Sequence, residues 1–248
     1  MGDMMNLSMR MKAVTDLMRP AAVIADIGCD HGYVSMEMIR RGIADRVIAA
    51  DVRTGPLAIA RANIEEAGLS ERIETRLSDG LRGFAPGEVQ AAVIAGMGGD
   101  LCLRILKASP EVLSGVSRLV LQPQSEIARV REEIFSLGFA IDAEDMVEED
   151  HKFYMMFSAV NVKMLPEDSL MPEGFSREAW GSAAEYEYGR FLLRQRHPVL
   201  KRFLDREYEK TCRLLEELRA RGVHPERLAQ LEAEQDVRRE ALSYYEMQ

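Results

Sequence analysis

The stretch Ala22-Val23-Ile24-Ala25-Asp26-Ile27-Gly28-Cys29-Asp30-His31-Gly32 decides the fold. Ala22 to Ile27 is an apolar run of strand length, and the glycines after it mark a tight turn into a helix expected from about Tyr33 to Arg41. Glycines at such a turn let the backbone approach a ligand closely, and the carboxyl ends of the strands are where open α/β sheets bind nucleotides. The dinucleotide fingerprint places glycines at its first, third and sixth positions. Here the third is Asp30 and the sixth is Tyr33, so a carboxylate would face a pyrophosphate. A zwitterionic nucleoside carrying a cationic sulfonium is the better electrostatic match.

Outward from this turn, strand-length apolar runs alternate with helix-length amphipathic segments, the mark of a parallel sheet built from βα units. Further strands are expected at Arg46 to Ala50, Ile73 to Leu77, Val89 to Ala95 and Arg118 to Leu121, with helices at Gly55 to Ala67, Leu101 to Lys107 and Ile127 to Leu137. Phe139 to Val147 and His151 to Val162 leave no room for a crossover helix between them and must pair as an antiparallel hairpin. A parallel sheet closed by such a hairpin is the ending of a class I methyltransferase, whereas a nicotinamide-dependent oxidoreductase would continue with further βα units. The expectation is a Rossmann-like, mostly parallel seven-stranded sheet over residues 1–165 and a helical domain over 166–248. In the latter, Leu200, Leu204, Tyr208, Thr211, Leu215 and Leu218 recur at three- and four-residue spacing. Leu228, Leu231 and Leu242 continue a stripe beyond Arg221-Gly222-Val223-His224-Pro225, which reads as the reversal of an antiparallel coiled-coil hairpin.

Composition bounds the function. Of the 248 residues, 47% are hydrophobic and 29% charged, and no apolar stretch has the length of a membrane span. Met1-Gly2-Asp3 is not a myristoylation signal, since Asn6 stands where that signal wants Ser or Thr, and no signal peptide is recognisable, so a cytoplasmic protein is expected. Three separated cysteines, Cys29, Cys102 and Cys212, argue for reduced thiols and against a metal site. The net charge of −9 does not favour a nucleic-acid ligand, so any RNA grip must come from a local basic patch. Two candidates are Arg10, Lys12 and Arg19 near the start, and Arg194, Arg196, His197, Lys201, Arg202 and Arg206 at the opening of the hairpin. Asp205, Glu207 and Glu209 beside the second group are placed to neutralise it.

Two further carboxylates suit the same nucleoside as the first turn. Asp51 ends the second strand, where an acidic side chain accepts from ribose hydroxyls, and Asp79 in Ser78-Asp79-Gly80 follows the third strand, where it would meet the adenine amine. An Asp after a strand is also a common turn former, but three at successive strand ends are hard to explain as turns. The fourth strand runs into Gly96-Met97-Gly98-Gly99, without the acidic or Asn residue and prolines that receive an amine in many amino-methylating enzymes. This speaks against N6-adenine chemistry.

Asp-Ile-Gly-Cys-Asp-His-Gly-Tyr at 26–33, Arg-Thr-Gly-Pro at 53–56, Ser-Asp-Gly-Leu at 78–81, Ile-Ala-Gly-Met-Gly-Gly at 94–99 and Leu-Gln-Pro-Gln at 121–124 together resemble the bacterial TrmK family. The likeness spans about residues 5–162 and departs from the family at Cys29, where a small residue is common, at Gly32, where Ala is, and at Asp51, where Glu is. The resemblance implies an S-adenosylmethionine (SAM) dependent methyltransferase for N1 of adenosine 22 in tRNA. It implies cofactor contacts from Asp26, Gly28, Cys29, Asp30, His31, Gly32, Asp51, Val52, Ser78, Asp79, Gly80, Gly96, Met97 and Gly98.

Adenine N1 already holds a lone pair, so its methylation needs alignment more than deprotonation, and no metal is called for. The product ring is cationic, and Asp30 is the candidate catalytic carboxylate to stabilise that charge or accept a proton. Helix capping or contact with the donor's ammonium are the other roles open to it. His31 can touch the base, hydrogen-bond Asp30 or serve structurally, and Tyr33 can stack on the base or face the core at the helix start. Because N1 lies on the Watson-Crick edge, the base must be unpaired or extruded. A monomer or weak dimer acting on tRNA is expected; a methyltransferase for a small molecule or protein, and a noncatalytic SAM-binding interaction protein, are the alternatives.

Overall fold

The computed structural model describes residues 7–166, 169–221 and 225–246. The N-terminal Met1-Gly2-Asp3 and Asn6, and residues 222–224 of the expected hairpin reversal, lie outside the described residues. Two compact units divide between Ala179 and Trp180.

In chain order the first unit comprises α1 (Met9–Leu17), β1 (Ala21–Ile27), α2 (Tyr33–Arg40), β2 (Ala44–Asp51), α3 (Thr54–Glu66), β3 (Ile73–Leu77), β4 (Ala91–Met97), α4 (Gly99–Lys107), α5 (Pro110–Ser114), β5 (Arg118–Pro123), α6 (Ile127–Ser136), β6 (Phe139–Glu149) and β7 (Lys152–Asn161). The strands form one seven-stranded sheet in the order β3-β2-β1-β4-β5-β7-β6. β1 to β5 pair in parallel, and β7 runs antiparallel to both β5 and β6. The expected class I methyltransferase sheet with its closing hairpin is therefore present. The strand order reverses between β1 and β4, which makes the carboxyl ends of these two strands the switch point where a crevice opens.

The central strands are buried on both faces, as strands covered by helices must be: Ile24, Ala25 and Ile27 of β1 and Val93 and Ile94 of β4 are all at most 2% exposed. β4 begins two residues later than expected, because Val89 is buried in the preceding loop and pairing with β5 starts only at Ala91. It also runs further, into the glycine motif, through a register shift between Ala95 and Met97. Gly96, at φ 77°, takes the left-handed conformation which that bulge requires. Helix α1 carries no strong amphipathic stripe and was not legible; Ser8 caps it by accepting from the Met11 N–H at 3.3 Å.

The sheet's antiparallel side is fixed by a buried ion pair. Arg131 of α6 donates from Nε to Glu144 of β6 at 2.8 Å, both side chains are fully buried, and the guanidinium lies 5.7 Å from the centre of the Phe157 ring. Residues beyond Asn161 stay with this unit as far as Ala179, helped by Arg177, whose guanidinium donates to the carbonyls of Val162 and Pro166 at 3.4 and 3.1 Å.

The second unit holds α7 (Ala183–Tyr188), α8 (Arg190–Arg194), α9 (Pro198–Arg221) and α10 (Pro225–Glu246). α9 and α10 run antiparallel, with Arg219 paired to Glu232 near one end and the Tyr245 hydroxyl donating to the His197 carbonyl near the other. Leu200, Leu204, Thr211 and Leu215 of α9 are buried in the seam as their spacing predicts, and so is Leu231 of α10. The α10 side is more polar than a leucine stripe: Gln235 and Arg238 are buried, and Arg238 donates to the Thr211 hydroxyl at 3.0 Å. Among the described residues no helix is long and apolar enough to cross a membrane.

Removing one partner of a fully buried ion pair strands the other charge, at a cost of about 3–5 kcal/mol. Glu144→Ala is expected to lose that much stability in urea unfolding, and an Arg131→Met, Glu144→Leu double variant to recover most of it. A double variant as unstable as the single one would contradict this account of the pair.

Candidate active site

The first turn is held by main-chain hydrogen bonds to β2 and by the Asn63 side-chain amide, which donates to the His31 carbonyl at 3.0 Å. The N–H groups of Gly28 and Cys29 both donate to the carbonyl of Ala50, at 2.8 and 3.1 Å, which ties the tip of β1 to the tip of β2. Gly28 has φ 73°, a conformation that calls for glycine, and a Cβ there would sit 2.1 Å from Cε of Met97 and displace the tip of that flexible side chain. Asp30 is also left-handed, at φ 50°, a conformation that an L residue other than glycine adopts at some cost and that recurs at functional sites.

A cleft of about 450 Å³ opens over these strand tips. The β1 turn contributes Asp26, Gly28, Cys29, Asp30 and His31 to its wall, and the end of β2 contributes Asp51 and Val52. Ser78, Asp79 and Gly80 follow from β3, and Gly96 and Met97 from β4. Gly32 and Gly98 do not line it. Gly32 precedes α2, where a Cβ would meet Ala60 of α3 at 3.4 Å, and Gly98 precedes α4, where it would meet the Ser125 hydroxyl at 3.2 Å.

The carboxylates differ in environment. Asp26 is 4% exposed and accepts from the Ser35 hydroxyl at 2.5 Å. Burial, opposed by that hydrogen bond and reinforced by the charge of Asp51, raises its pKa from 3.8 to about 6. Asp51 is also buried; its Oδ1 accepts from the Arg53 N–H at 2.8 Å, and Oδ2 has no protein partner among the described residues. Asp79 lies at the rim, its Oδ2 paired with Arg82 at 2.8 Å. Asp30 is 61% exposed, with His31 Nε2 at 3.6 Å, and the His31 ring meets Tyr33 edge-on at 5.7 Å. Burial and the neighbouring Asp26 and Asp51 push the Cys29 thiol well above its ordinary range, so it is a packing group and not a nucleophile.

The structure adds Arg10 from α1 and Gln124 from beyond β5 to the cleft wall. Arg10 is held in place: Nη1 donates to Oε1 of the buried Gln122 at 3.1 Å, the same oxygen accepts from the Gly96 N–H at 3.1 Å, and the guanidinium sits 5.3 Å from the centre of the Tyr154 ring. The Leu-Gln-Pro-Gln motif was visible in sequence, but its link to α1 was not. Of the two basic clusters, the hairpin group is partly neutralised as expected, with Lys201 on Asp205 and Arg206 on Glu207, and Lys12 is paired with Asp16.

A family described as "Methyltransferase domain" matches residues 7–157, the part of the chain that builds the sheet and the cleft. A Streptococcus pneumoniae protein assigned as a tRNA (m1A22) methyltransferase, solved in complex with S-adenosyl-L-methionine, is 31% identical and superposes with a TM-score of 0.80 over 96% of this chain and 100% of its own. The chain belongs to the TrmK family. The Bacillus subtilis m1A22 tRNA methyltransferase TrmK superposes with a TM-score of 0.80 at 29% identity, over 96% of this chain and 99% of that one. In sequence, the tRNA (adenine(22)-N(1))-methyltransferase of Bacillus subtilis strain 168 is 37% identical over 155 residues, 62% of this chain. That match covers 65% of the curated relative, just under two thirds of its length. In this chain the cleft carries an acidic side chain from the end of each of the first three strands, Asp26, Asp51 and Asp79.

For Asp26 the folded-state pKa lies above its ordinary value, so the protonated form is favoured in the fold. Its contribution to stability is present below about pH 4 and is lost as pH rises through 6, a loss of about 3 kcal/mol for the shift to about 6. Asp26→Asn is expected to be more stable than the ligand-free wild type at pH 8 and to match it near pH 4. Parallel stability curves for the two proteins between pH 4 and 8 would contradict the shift.

Proposed function

We propose that this protein transfers a methyl group from SAM to N1 of adenosine 22 in tRNA, acting in the cytoplasm as a monomer or weak dimer. The observation that carries the reading is the correspondence of 96% of the chain, at 31% identity, with the Streptococcus pneumoniae protein solved with SAM. A likeness over 96% of the chain reaches beyond the first unit, which ends at Ala179, into the helical second unit. The proposed division of labour gives the methyl-transfer site to residues 1–165 and an accessory role to the helical unit that begins at Trp180.

The cleft's own atoms suit SAM. Asp51 Oδ2 is an acceptor with no hydrogen-bond donor among the described residues, fit for a ribose hydroxyl, and Gly28 brings bare main chain to the cleft wall. Asp26 and Asp51 give the floor a negative charge, complementary to an ammonium and a sulfonium and opposed to a pyrophosphate. Asp79 Oδ1 is left for the adenine amine while Oδ2 stays on Arg82. When bound, SAM supplies an electrophilic methyl group on a cationic sulfur.

The remaining work falls to the protein. N1 of the target base attacks with its own lone pair, so the cleft wall has to align it and exclude water. As the ring gains positive charge, the Asp30 carboxylate at the rim stabilises it and takes up a proton from the exocyclic amine, with His31 beside it to orient the carboxylate. Because Asp30 is partly exposed while Asp26 and Asp51 are buried, the outer carboxylate is the one a nucleobase entering from solvent can reach.

Incubation with unmodified tRNA and labelled SAM, followed by nucleoside mass spectrometry, is expected to yield 1-methyladenosine; N6-methyladenosine or a methylated guanosine would refute the proposal. Asp30→Asn is expected to lower kcat by roughly 100-fold or more while leaving SAM affinity within a factor of about two, the signature of lost acid-base assistance without a lost binding site. Full turnover by that variant would remove Asp30 from the chemistry.

A further inference from the structure

A second cavity, of about 300 Å³, lies beside the cleft between α1 and α2. Tyr33, Met36, Glu37 and Arg40 line it from one face of α2, at positions i, i+3, i+4 and i+7, and α1 closes it with Ser8 and Met11. Met11 and Tyr33 also line the cleft, so the two cavities share a wall. The groove is graded along its length. Tyr33 stands at the cleft end, the fully buried Met36 forms an apolar floor, and Glu37 and the exposed Arg40 stand at the far end.

We propose that this groove is a second nucleotide subsite, which holds the RNA residue adjoining the target adenosine. The proposal rests on the tRNA reading above and extends it. Seven residues of helix span roughly 10 Å, enough to carry a base against the Tyr33 ring and its phosphate to Arg40. Arg40 makes no ion pair or hydrogen bond among the described residues, whereas its neighbour Arg41 is already taken by Asp16 at 2.7 Å and by the Thr15 hydroxyl at 3.0 Å. In a chain of net charge −9, an uncompensated guanidinium beside the active cleft is a rare grip for a phosphate. Glu37, whose side chain is also unpaired among the described residues, is an acceptor for a base amine or for the 2′-hydroxyl that distinguishes RNA from DNA. A volume of about 300 Å³ accommodates one nucleotide and not a further helix.

The test is steady-state methylation of tRNA by the full-length protein and by Arg40→Gln and Arg40→Glu, at several salt concentrations, with SAM affinity measured in parallel by calorimetry. Arg40→Gln is expected to raise KM for tRNA about tenfold, the effect of one charged hydrogen bond. Its salt dependence should be shallower by about 0.7 in the log-log slope. Arg40→Glu should be worse, and in both variants kcat and SAM affinity should stay near wild type. Wild-type KM and salt slope in Arg40→Glu would overturn the subsite while leaving the methyltransferase reading intact. SAM affinity falling in step with tRNA affinity would also overturn it, by assigning the groove to the cofactor. A wild-type protein that binds SAM but methylates no tRNA would instead sink the reading on which the subsite rests.

Discussion

Two main-chain hydrogen bonds, from Gly28 and Cys29 to the carbonyl of Ala50, hold the geometry on which the site depends. They join the tip of β1 to the tip of β2 at the residue just before Asp51, so Asp26 and Asp51 are brought to one cleft by backbone pairing. A residue that takes a left-handed φ without strain is needed to make the turn at Gly28, and the terminal methyl of Met97 from β4 fills the space beside it. The parallel register, the glycine and the two acids are one constraint expressed at four places.

The electrostatics follow from this arrangement. Burying the Asp26 carboxylate is costly when it is ionised, the charge of the neighbouring Asp51 adds to that cost, and the raised pKa of Asp26 expresses both in the ligand-free protein. A cationic ligand offsets it, and so the same strain that weakens the empty fold favours the sulfonium donor over a phosphate-bearing one. The cations near the cleft are arranged around this acidic floor: Arg10 is pinned by Gln122 and Tyr154, and Arg40 is left open one helix away. The overall negative charge is therefore compatible with an RNA substrate, because what matters is which basic groups lack a carboxylate partner.

Much of the sheet was legible because its signals are local. The apolar run before Gly28, the missing crossover after Phe139 and the strand-end acids each follow from residues close in sequence. β4 starts later than its apolar run suggests because Val89 is buried without being paired, and the bulge at Gly96 carries the strand into what reads as a loop. Arg10 and its helix were not legible as part of the cleft because α1 lacks a clear stripe, and its partner Gln122 is more than a hundred residues away. For the same reason the spacing of Leu228, Leu231 and Leu242 could not reveal that Gln235 and Arg238 occupy the hairpin seam: the groups that bond Gln235 Nε2 and Arg238 Nη1, Cys212 and Thr211, lie on the other helix.

Calorimetric titration of the purified protein with SAM and, separately, with NAD measures the central claim most directly, with Asp51→Ala as the comparison. The account predicts saturable one-to-one binding of SAM, its loss in the variant, and no heat from NAD. Saturable NAD binding, or SAM affinity unchanged when the Asp51 carboxylate is removed, would contradict it.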